Sequence, residues 1–523
     1  MKTNKLITTL FAAIMLIALL LPVGVVAESE MSTSISNAKV DYKIKEDGTI
    51  EITKIYVYAQ RYTVEIPGEI DGRKVTSIGD RAARDEETSK KEYYITLPEG
   101  LESIGDYAFY NSYYAVGNGT RILGALPSTL KHIGDYAFER LGFKESVNIP
   151  DGLTEMSELA FYNTYVRAFT VGQNNPVFAS IDGVLFRKED RALLCYPQGL
   201  DDSTYTVPDG IQTITPYAFR GNDSLYTVVF SESIHRIGHH AFMECKKLHH
   251  VNIPGSVLEI DDGAFMNCNN IEELTLNNGL QRIGAMAFSS NRLREIEFPD
   301  TLTEIDDFAF SYTLLNKADI TSNIQYIGKN PFYPVGSSLH FVVAEGNKNY
   351  TVYQNSLYER STGRLIAVEL GSWPNPSFES DYVFADGVSI IGAYAFNKIS
   401  VAGNVHIPET VHTIEEGAFS SCRIDGELIL PKGITEIADY LFHQASIGCL
   451  DIPEGVKSIG QKALCCSSEQ LSLPASITEM ADDAMSGGPG GKVIVPQNSY
   501  AEQYCIDHNI TYIYPNSTDW LNP

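Results

Sequence analysis

The sequence predicts a repeat solenoid, in which the chain winds into stacked coils of short strands and short helical turns. A six-residue motif recurs along most of the chain, and its phenylalanine returns every 22 or 23 residues over six consecutive copies between 219 and 332. A strand-like signature lies between successive motifs. Together these observations predict about 15 repeats of about 23 residues, interrupted by two β-hairpin insertions.

The repeated motif reads Ile-Gly-x-x-Ala-Phe in its most regular form. Its copies are IGDYAF at 104–109 and 133–138, ITPYAF at 214–219, IGHHAF at 237–242, IDDGAF at 260–265, IGAMAF at 283–288, IDDFAF at 305–310, IGAYAF at 391–396, IEEGAF at 414–419 and IADYLF at 437–442, with more divergent copies at 156–161, 327–332, 459–464 and 480–485. An apolar pair at one phase of every repeat predicts one shared core that runs through all the coils.

The strand-like signature precedes each motif. The segment LHHVNIP at 248–254 carries apolar Leu248, Val251 and Ile253, and LREIEFP at 293–299 repeats the pattern. The alternation of Val251 and Ile253 is typical of a short strand with one buried face, and the proline ends it. Fixed apolar positions at a period of about 23 are typical of the leucine-rich-repeat class.

Two further positions recur around the motif phenylalanine. An acid often stands three residues before it, as Asp262 stands before Phe265, where the N-cap of a helical turn would accept an amide hydrogen bond. Cysteine stands three residues after it at Cys245, Cys268 and Cys422. We expect a small polar side chain there to satisfy backbone groups inside the turn, with a buried free thiol as the default.

Eight cysteines in 523 residues are too few for a disulfide scaffold, which is a feature of small secreted chains. Two pairings stay open as alternatives. One joins Cys245 to Cys268 on adjacent coils, and the other joins Cys449 to Cys465 or Cys466. Each pairing needs a suitable approach of the two Cβ atoms.

Units of the form xxIPxxVxxIGxxAFxxC resemble the BspA-like leucine-rich repeats, which are related to the treponemal type. The resemblance covers residues 62–496. It implies a right-handed superhelix with a strand-lined concave face, export by a bacterium, and recognition of host matrix proteins, host cells or other bacteria. It implies no catalytic residues and no cofactor.

The chain is expected to divide into eight consecutive segments. They are a signal peptide (1–27), an N-terminal β cap (28–61), leucine-rich repeats (62–171), a β-hairpin insertion (172–206), leucine-rich repeats (207–342), a second β-hairpin insertion (343–382), leucine-rich repeats (383–496), and a C-terminal cap and tail (497–523). Each insertion has a turn signal between alternating apolar residues, Asp182-Gly183 in the first and Thr362-Gly363 in the second. An architectural elaboration and a partner-binding protrusion both stay open for the insertions.

The N-terminus predicts export. Lys2 and Lys5 precede an apolar run from Leu6 to Leu21, and small residues follow up to Ala27. This order is typical of a secretory signal peptide cleaved after Ala27, and the run is short for a membrane span of about 20 residues. We therefore expect a secreted, extracellular protein, free or associated with a cell surface, without membrane insertion after cleavage. An uncleaved anchor is the alternative.

The formal net charge of the chain is −27 at pH 7. Such a charge repels nucleic acid and anionic lipid and favours solubility. Nucleic acid is therefore not an expected partner, and the charge alone identifies no other.

The outward positions of the predicted strands form the candidate binding surface. Aromatic and arginine side chains on a rigid concave surface are typical binding anchors. We select the stretch between the two insertions, where the repeat is most regular, and call its nine outward residues the candidate face. They are Tyr226, His249, His250, Glu272, Glu273, Arg294, Glu295, Glu297 and Lys317. A merely solvated surface is the alternative.

Four histidines and a cysteine crowd the segment HHAFMECKKLHH at 239–250, and imidazole and thiolate are ligands that zinc prefers. In the repeat register, however, His239 and His240 precede the turn, whereas His249 and His250 belong to the next strand. The two pairs are therefore expected on different parts of a coil. We predict no metal site here.

Paired acids recur at one phase of the repeat, as in Asp261-Asp262 and Asp306-Asp307. A glycosidase dyad needs two carboxyl groups in unlike environments, so a ladder of equivalent pairs argues against catalysis. The sequence has no motif of a common hydrolase or nucleotide-binding class. We predict no catalytic residue, and a calcium-binding ladder stays open.

These observations predict a secreted, non-enzymatic leucine-rich-repeat protein that mediates extracellular protein–protein recognition, as a bacterial adhesin for host matrix or cell-surface proteins does. The expected partner is an extracellular protein or glycoprotein. An extracellular glycan- or mucin-binding accessory protein is the second hypothesis and predicts exposed aromatic platforms. An extracellular enzyme with its active site in a hairpin insertion is the third, and no residues at catalytic spacing support it.

Overall fold

The computed structural model describes residues 31–57, 63–83, 94–110, 121–333, 339–369 and 378–515. The predicted signal peptide and both tryptophans lie outside these residues. The chain folds as a β-solenoid of about 19 turns of roughly 23 residues with almost no helix, which confirms the predicted fold class. The turns therefore outnumber the 15 predicted repeats.

Short strands follow one another along the described chain. The first group is β1 (Met31–Ile35), β2 (Ala38–Ile44), β3 (Ile50–Val57), β4 (Thr63–Glu65), β5 (Glu69–Ile70), β6 (Arg73–Ile78), β7 (Tyr94–Thr96), β8 (Ser103–Ile104), β9 (Arg121–Ile122), β10 (His132–Ile133), β11 (Gly142–Phe143), β12 (Val147–Ile149), β13 (Glu155–Met156) and β14 (Phe169–Val171). The second group is β15 (Phe178–Ile181), β16 (Val184–Arg187), β17 (Ala192–Cys195), β18 (Thr204–Thr206), β19 (Thr213–Ile214), β20 (Thr227–Val229), β21 (Arg236–Ile237), β22 (His250–Ile253), β23 (Glu259–Ile260), β24 (Glu273–Leu276), β25 (Arg282–Ile283), β26 (Glu304–Ile305), β27 (Lys317–Ile320), β28 (Tyr326–Ile327) and β29 (His340–Val343). The third group is β30 (Tyr350–Tyr353), β31 (Ser356–Glu359), β32 (Arg364–Val368), β33 (Ile390–Ile391), β34 (Ser400–Val401), β35 (Val405–His406), β36 (Thr413–Ile414), β37 (Arg423–Ile424), β38 (Leu428–Ile429), β39 (Glu436–Ile437), β40 (Ser446–Asp451), β41 (Ser458–Ile459), β42 (Ser467–Ser472), β43 (Glu479–Met480), β44 (Lys492–Ile494) and β45 (Tyr512–Ile513).

The chain forms two compact units. One comprises the residues up to Val166 together with Val171–Asn175, and the other comprises Arg167–Thr170 and the residues from Pro176 onward. In the first unit, the antiparallel strands β1, β2 and β3 lead into a parallel ladder in the order β3-β6-β8-β10-β13. A second ladder of that unit has the order β11-β9-β7-β4. The antiparallel strands therefore pair with the first coil at one end of its ladder.

Two parallel ladders run through the coils of the second unit. The first contains β19, β21, β23, β25, β26 and β28, and each of its two-residue strands ends in the isoleucine of a motif, so that Ile237, Ile260 and Ile283 lie in register. The other has the order β18-β20-β22-β24, and we call it the strand-face ladder. Each coil thus places one strand before its motif turn and one after it.

A column of phenylalanine rings fills the core of these coils. Phe219, Phe242, Phe265, Phe288 and Phe310 are each at most 1% exposed. Successive rings are nearly parallel, with centroids 4.4–5.4 Å apart. Because each ring covers a face of its neighbour, the recurring phenylalanine is the position that every coil shares with the next.

The motif turns are not helical, which corrects the expectation of short helical turns. In one coil, His240 has a φ of 53° and Glu244 a φ of 63°, values that no helical residue adopts. Their amide groups point along the stack instead of back along the chain. His240 N–H donates to the carbonyl of Asp262 at 3.0 Å, and Glu244 N–H donates to that of Met266 at 2.9 Å. Hydrogen bonds between coils therefore alternate with bonds inside the turn, such as that from Met243 N–H to the carbonyl of His240 at 3.0 Å.

Each insertion is a three-stranded antiparallel module that joins the parallel ladder, β15–β17 through β19 and β30–β32 through β33. In the second module, successive residues face different cores. Leu357 and Ile366 pack with the preceding coils, whereas Tyr358 and Leu365 pack with the following coils. The second module is therefore a wall between two cores of the same unit.

The C-terminal coils end in an eight-residue helix, α1 (Tyr500–Asp507). The side chain of Ser499 accepts a hydrogen bond from Glu502 N–H, which satisfies an amide of the first turn. Ala501, Tyr504 and Cys505 are buried against the last coils. Within the described ranges, no helix is both long and apolar enough to cross a membrane.

Candidate functional site

The strand-face ladder presents two outward rows of side chains, because alternate residues of a strand point to opposite faces. The first row contains Thr204, Thr227, His250 and Glu273, which are partners in register. The second row contains Thr206, Val229, Asn252 and Thr275, all of them exposed. Apolar Val229 and polar Asn252 and Thr275 were not predicted as part of the site. The period of two around the inward residues was the signal that places them there.

Three rings form a cluster at one side of the candidate face. The Tyr226 ring is 43% exposed and stacks on His249, with centroids 5.0 Å apart and an interplanar angle of 22°. It meets His250 edge-on at 5.3 Å. Packing against two neighbours on the next coil holds the tyrosine in place, so that ordering it costs little when a partner binds.

Histidine–glutamate pairs connect this cluster to the following coil. His250 Nδ1 lies 2.7 Å from Glu273 Oε2, and His249 Nε2 lies 3.6 Å from Glu272 Oε2. The guanidinium of Arg292, which was not predicted, lies 3.9 Å from Glu272. These pairs are partly exposed, and such pairs contribute little to stability. The glutamate carboxylates and the Arg292 guanidinium are therefore available to a partner at small cost to the fold.

The ladder stops at the next coil. Arg294, Glu295 and Glu297 lie in a segment without assigned strand, although its backbone still accepts the hydrogen bond from Asn316 N–H to Arg294 O at 3.1 Å. All three side chains are exposed. Among the described residues, none of the three forms an ion pair.

Lys317 lies one coil further, at the start of β27, which pairs with β29 in a separate two-stranded sheet. Its ammonium is 2.8 Å from Asp319 of the same strand. The structure thus brings together the five predicted residues from Tyr226 to Glu273. It places Arg294, Glu295 and Glu297 on the adjoining coil and Lys317 on a separate strand.

A shallow groove of about 250 Å³ crosses the two outward rows. Val229, His250, Asn252, Glu273 and Thr275 are among the residues that line it. Apolar Val228, Phe230, Val251 and Pro254 also line it but are buried, so that Val229 is the exposed apolar side chain among neutral polar and charged groups. This composition suits an extended segment of a partner better than a small apolar ligand.

The second histidine pair lies on the turn side. His239 and His240 have ring centroids 3.8 Å apart, and the His240 ring stacks on Tyr217 at 5.3 Å. Burial, and then the neighbouring His239 and Arg220, lower the pKa of His240 to about 4. The two histidine pairs therefore occupy different sides of the coils. Across the described ranges, no group of three or more histidine, cysteine and acidic side chains is arranged to hold a metal ion.

The recurring acids do not cap their own turns, which corrects the N-cap expectation. Asp262 Oδ1 accepts the N–H of Ala285, one coil later, at 2.9 Å. Asp307 bonds Lys329 N–H in the same way at 2.7 Å. Because the turns are not helical, the amides that need an acceptor belong to the next coil. A Cβ at Gly284 would lie 2.5 Å from Asp262 Oδ1, so the motif glycine makes room for the preceding aspartate.

The other acid of each pair is also engaged. Asp261 accepts from Arg236 at 2.8 Å, and Asp306 forms an ion pair with Arg282 of the preceding coil. The paired acids thus bond to backbone or arginine groups of adjacent coils. These bonds explain why acids recur at one phase of the repeat without invoking catalysis or calcium.

Cys245 and Cys268 satisfy backbone carbonyl groups, but these carbonyls belong to the preceding coil and not, as expected, to the cysteine's own turn. Cys245 Sγ lies 3.1 Å from Phe219 O, and Cys268 Sγ lies 2.9 Å from Phe242 O. Burial raises the pKa of Cys268 well above its usual range. All eight cysteines, including Cys449, Cys465 and Cys466, are free thiols in the structure.

A family model described as the BspA type leucine rich repeat region, with six copies, matches residues 58–189, 212–340, 259–361 and 381–511. Together these matches span well over half of the chain. The chain belongs to the BspA-type leucine-rich-repeat family. This assignment confirms the resemblance drawn from the repeated units.

The chain is also similar to three solved structures. A leucine rich cell surface protein from Faecalibacterium prausnitzii A2-165 is 20% identical, with a TM-score of 0.42 over 91% of this chain and 97% of that one. A leucine-rich repeat protein from Bacteroides ovatus ATCC 8483 is 18% identical, with a TM-score of 0.39 over 92% and 100%. The pneumococcal vaccine antigen PcpA is 15% identical, with a TM-score of 0.41 over 94% and 99%. No curated protein matches the chain.

Proposed function

We propose that this BspA-type chain is a secreted, non-enzymatic recognition protein that binds an extracellular protein or glycoprotein through the candidate face, as an adhesin for host matrix or cell-surface proteins does. Leucine-rich-repeat proteins generally bind other proteins. The pattern of residues 1–27 supports export.

The observation that carries the proposal is the combination of a fixed aromatic anchor with charges that the fold does not use. Tyr226 is held half-exposed by His249, and Arg294, Glu295 and Glu297 are exposed without ion pairs among the described residues. Aromatic anchors beside complementary charges are typical of binding hot spots. The rigid coils present both without prior ordering of a loop.

A glycan- or mucin-binding accessory protein is the second candidate. It predicted exposed aromatic platforms, and Tyr226, Tyr312, Tyr326 and Tyr353 are 41–50% exposed. These rings lie on different coils, and three of them lie outside the candidate face. The protein-binding proposal is preferred because the candidate face is charged, whereas stacking on a neutral sugar requires no charge.

Surface plasmon resonance tests the proposal. The full chain is measured against immobilised fibronectin, fibrinogen, collagen, laminin and mucin, and in parallel on a glycan array. We expect a protein ligand whose affinity falls at least tenfold in the triple variant Tyr226→Ala/His249→Ala/Arg294→Ala. The matched control His406→Ala/Arg423→Ala changes exposed residues of other coils and should bind normally.

Equal binding by the triple variant and the unmodified chain would remove the candidate face from the mechanism. Selective binding to the glycan array would replace the protein-binding proposal with the second candidate. Turnover of any of these ligands would contradict the non-enzymatic assignment.

A further inference from the structure

The turn side of the second unit carries a pocket of about 300 Å³ that is separate from the candidate face. We call it the turn pocket. Its floor is formed by the residue directly after the motif phenylalanine on five coils. These residues are Met266, Ser289, Ser311, Tyr333 and Asn397.

Side-chain size at this one repeat position creates the pocket. The two middle floor residues, Ser289 and Ser311, are buried, and Ser311 Oγ donates to Ser289 Oγ at 2.9 Å. Larger side chains, Met266 and Tyr333, stand on either side of them along the stack. The depression therefore follows from two small residues between two large ones at the same phase of the repeat.

Aromatic and thioether groups form the walls. Phe308 contacts Tyr394 edge-on with centroids 5.6 Å apart, and Tyr312 contacts Tyr333 edge-on at 5.0 Å. Tyr312 is 50% exposed and Met286 is 41% exposed. These exposed apolar groups surround a concave site rather than a flat surface, which is the form that a side-chain anchor requires.

Among the residues that the structure describes, no acidic or basic side chain lines the pocket. A cation is already adjacent, because Lys398 Nζ lies 5.1 Å from the ring centroid of Tyr333 and 5.8 Å from that of Tyr312. A cationic group of a partner would be repelled there, and an anion would lose hydration against apolar walls. The Ser290 and Tyr312 hydroxyls, both lining groups, have no hydrogen-bond partner among the described residues.

We propose that the turn pocket receives one tryptophan or tyrosine side chain of a protein partner, whose ring packs between Met286 and Tyr312 and whose N–H or O–H meets the hydroxyls of Ser290 and Tyr312. The neutral lining matches a neutral ring, and the volume lies at the low end for ligand pockets, of about 300–1,000 Å³. Tryptophan and tyrosine are the commonest anchors of protein interfaces, and thioether sulfur packs favourably on their rings. This inference rests on the proposed protein recognition for the source of the side chain, but it concerns a different surface.

Isothermal titration calorimetry of the full chain with N-acetyl-L-tryptophanamide tests the pocket directly. A ligand of this size is expected to bind with a dissociation constant of about 0.1–1 mM. Ser311→Tyr fills the floor with the residue that Tyr333 supplies at the same phase one coil later, and it should weaken binding at least tenfold. Ser420→Tyr makes the same change at a buried serine of the same phase outside the pocket and should leave binding unchanged.

Tyr312→Ala provides a second variant at a side chain that is 50% exposed, and it should weaken the probe several-fold with little change in Tm. Three results would overturn the proposal: no binding of the tryptophanamide, equal binding by Ser311→Tyr, or tighter binding of methyl glucoside or methyl N-acetylglucosaminide than of the amide. The triple variant of the candidate face should bind the probe normally. Failure to bind any matrix protein therefore bears on the proposed function, whereas failure to bind the probe bears on the turn pocket.

Discussion

The phenylalanine column ties the stability of each coil to that of its neighbours, and Phe265→Ala tests this link. The Phe265 ring is 0% exposed and lies between Phe242 at 4.9 Å and Phe288 at 5.2 Å, with interplanar angles of 2° and 3°. Truncating a buried phenylalanine to alanine costs about 3–5 kcal/mol of unfolding free energy. Since each stacked pair is worth about 0.5–1.5 kcal/mol beyond its burial, the two ring contacts account for about 1–3 kcal/mol of that loss.

A double-mutant comparison separates the ring contacts from the loss of volume. Phe265→Ala and Phe288→Ala remove rings in direct contact, so their combined cost should fall short of the sum by about 0.5–1.5 kcal/mol. Phe265→Ala and Phe310→Ala remove rings that Phe288 separates, so their costs should add within about 0.5 kcal/mol. Amide hydrogen exchange in β22 and β24 measures the local opening free energy even if the long stack does not unfold in one step.

The adjacent and the separated pair of phenylalanines test whether stability is coupled between neighbouring coils. A cost below 1 kcal/mol for Phe265→Ala would show that the coil closes around the missing ring. Equal coupling for the adjacent and the separated pair would show that stability is shared over the whole stack, against the nearest-neighbour behaviour expected of a solenoid.

Three further predictions concern the contacts between coils. Gly284→Ala should cost about 1–3 kcal/mol in urea unfolding, because its Cβ would lie 2.5 Å from the carboxylate oxygen of the preceding coil, whereas Gly433→Ala has open space and should be nearly neutral. Burial lowers the pKa of His240 to about 4, below its unfolded value near 6.5, so the unfolded state binds more protons between these values and stability should rise with pH from about 4 to 6.5. The free energy of unfolding should rise by about 1–2 kcal/mol over this range, after allowance for the partial exposure of His240. A series of thermal melts at different pH values measures this rise, and His240→Tyr should abolish it. An unchanged pH dependence in His240→Tyr would contradict the lowered pKa of His240. Cys268→Thr keeps a side-chain donor for the Phe242 carbonyl and should cost less than Cys268→Val. The difference should be about 0.5–1.5 kcal/mol, the net contribution of one hydrogen bond, because the carbonyl still accepts Cys245 N–H at 3.1 Å; equal costs in urea unfolding would contradict the thiol bond.

The repeated core was predictable because its signal is redundant. Every coil has apolar residues at the same positions of the repeat. Comparison of the many copies therefore identifies Phe242, Val251 and Ile253 as core residues. The turn conformation was not predictable in this way. An acid three residues before Phe265 fits an N-cap equally well in sequence, and only the positive φ of residues such as His240 shows that the amides face the next coil.

The sequence predicted which residues of the candidate face point outward, but it did not predict which of them lie side by side on adjacent coils. The alternation in LHHVNIP identifies His250 as outward, and the register of β22 with β24 then places Glu273 beside it. Sequence spacing did not show that the strand-face ladder ends before Arg294, because the apolar pattern of 293–299 matches that of its neighbours. The break depends on backbone pairing between coils, which the pattern of one coil does not encode.

The contacts between coils also explain which positions of this chain can vary to suit a partner. Asp262 and Asp307 stand at the third motif position, and the next coil in each case has glycine at the second, because the carboxylate packs there and accepts the following amide. After Asp135 the next coil has Ser157 at that position, and its hydroxyl donates to the Asp135 carboxylate. Asp306 shows the opposite arrangement. It places an acid at the second motif position of its coil, and the preceding coil has an alanine, Ala285, at the third. These positions are fixed in pairs by packing.

The outward rows and the residue after the motif phenylalanine carry no such pairing rule, since serine, methionine and tyrosine all occur directly after the motif phenylalanine. Recognition is therefore expected at these two sets of positions, where a coil can change its side chain without a compensating change in its neighbour.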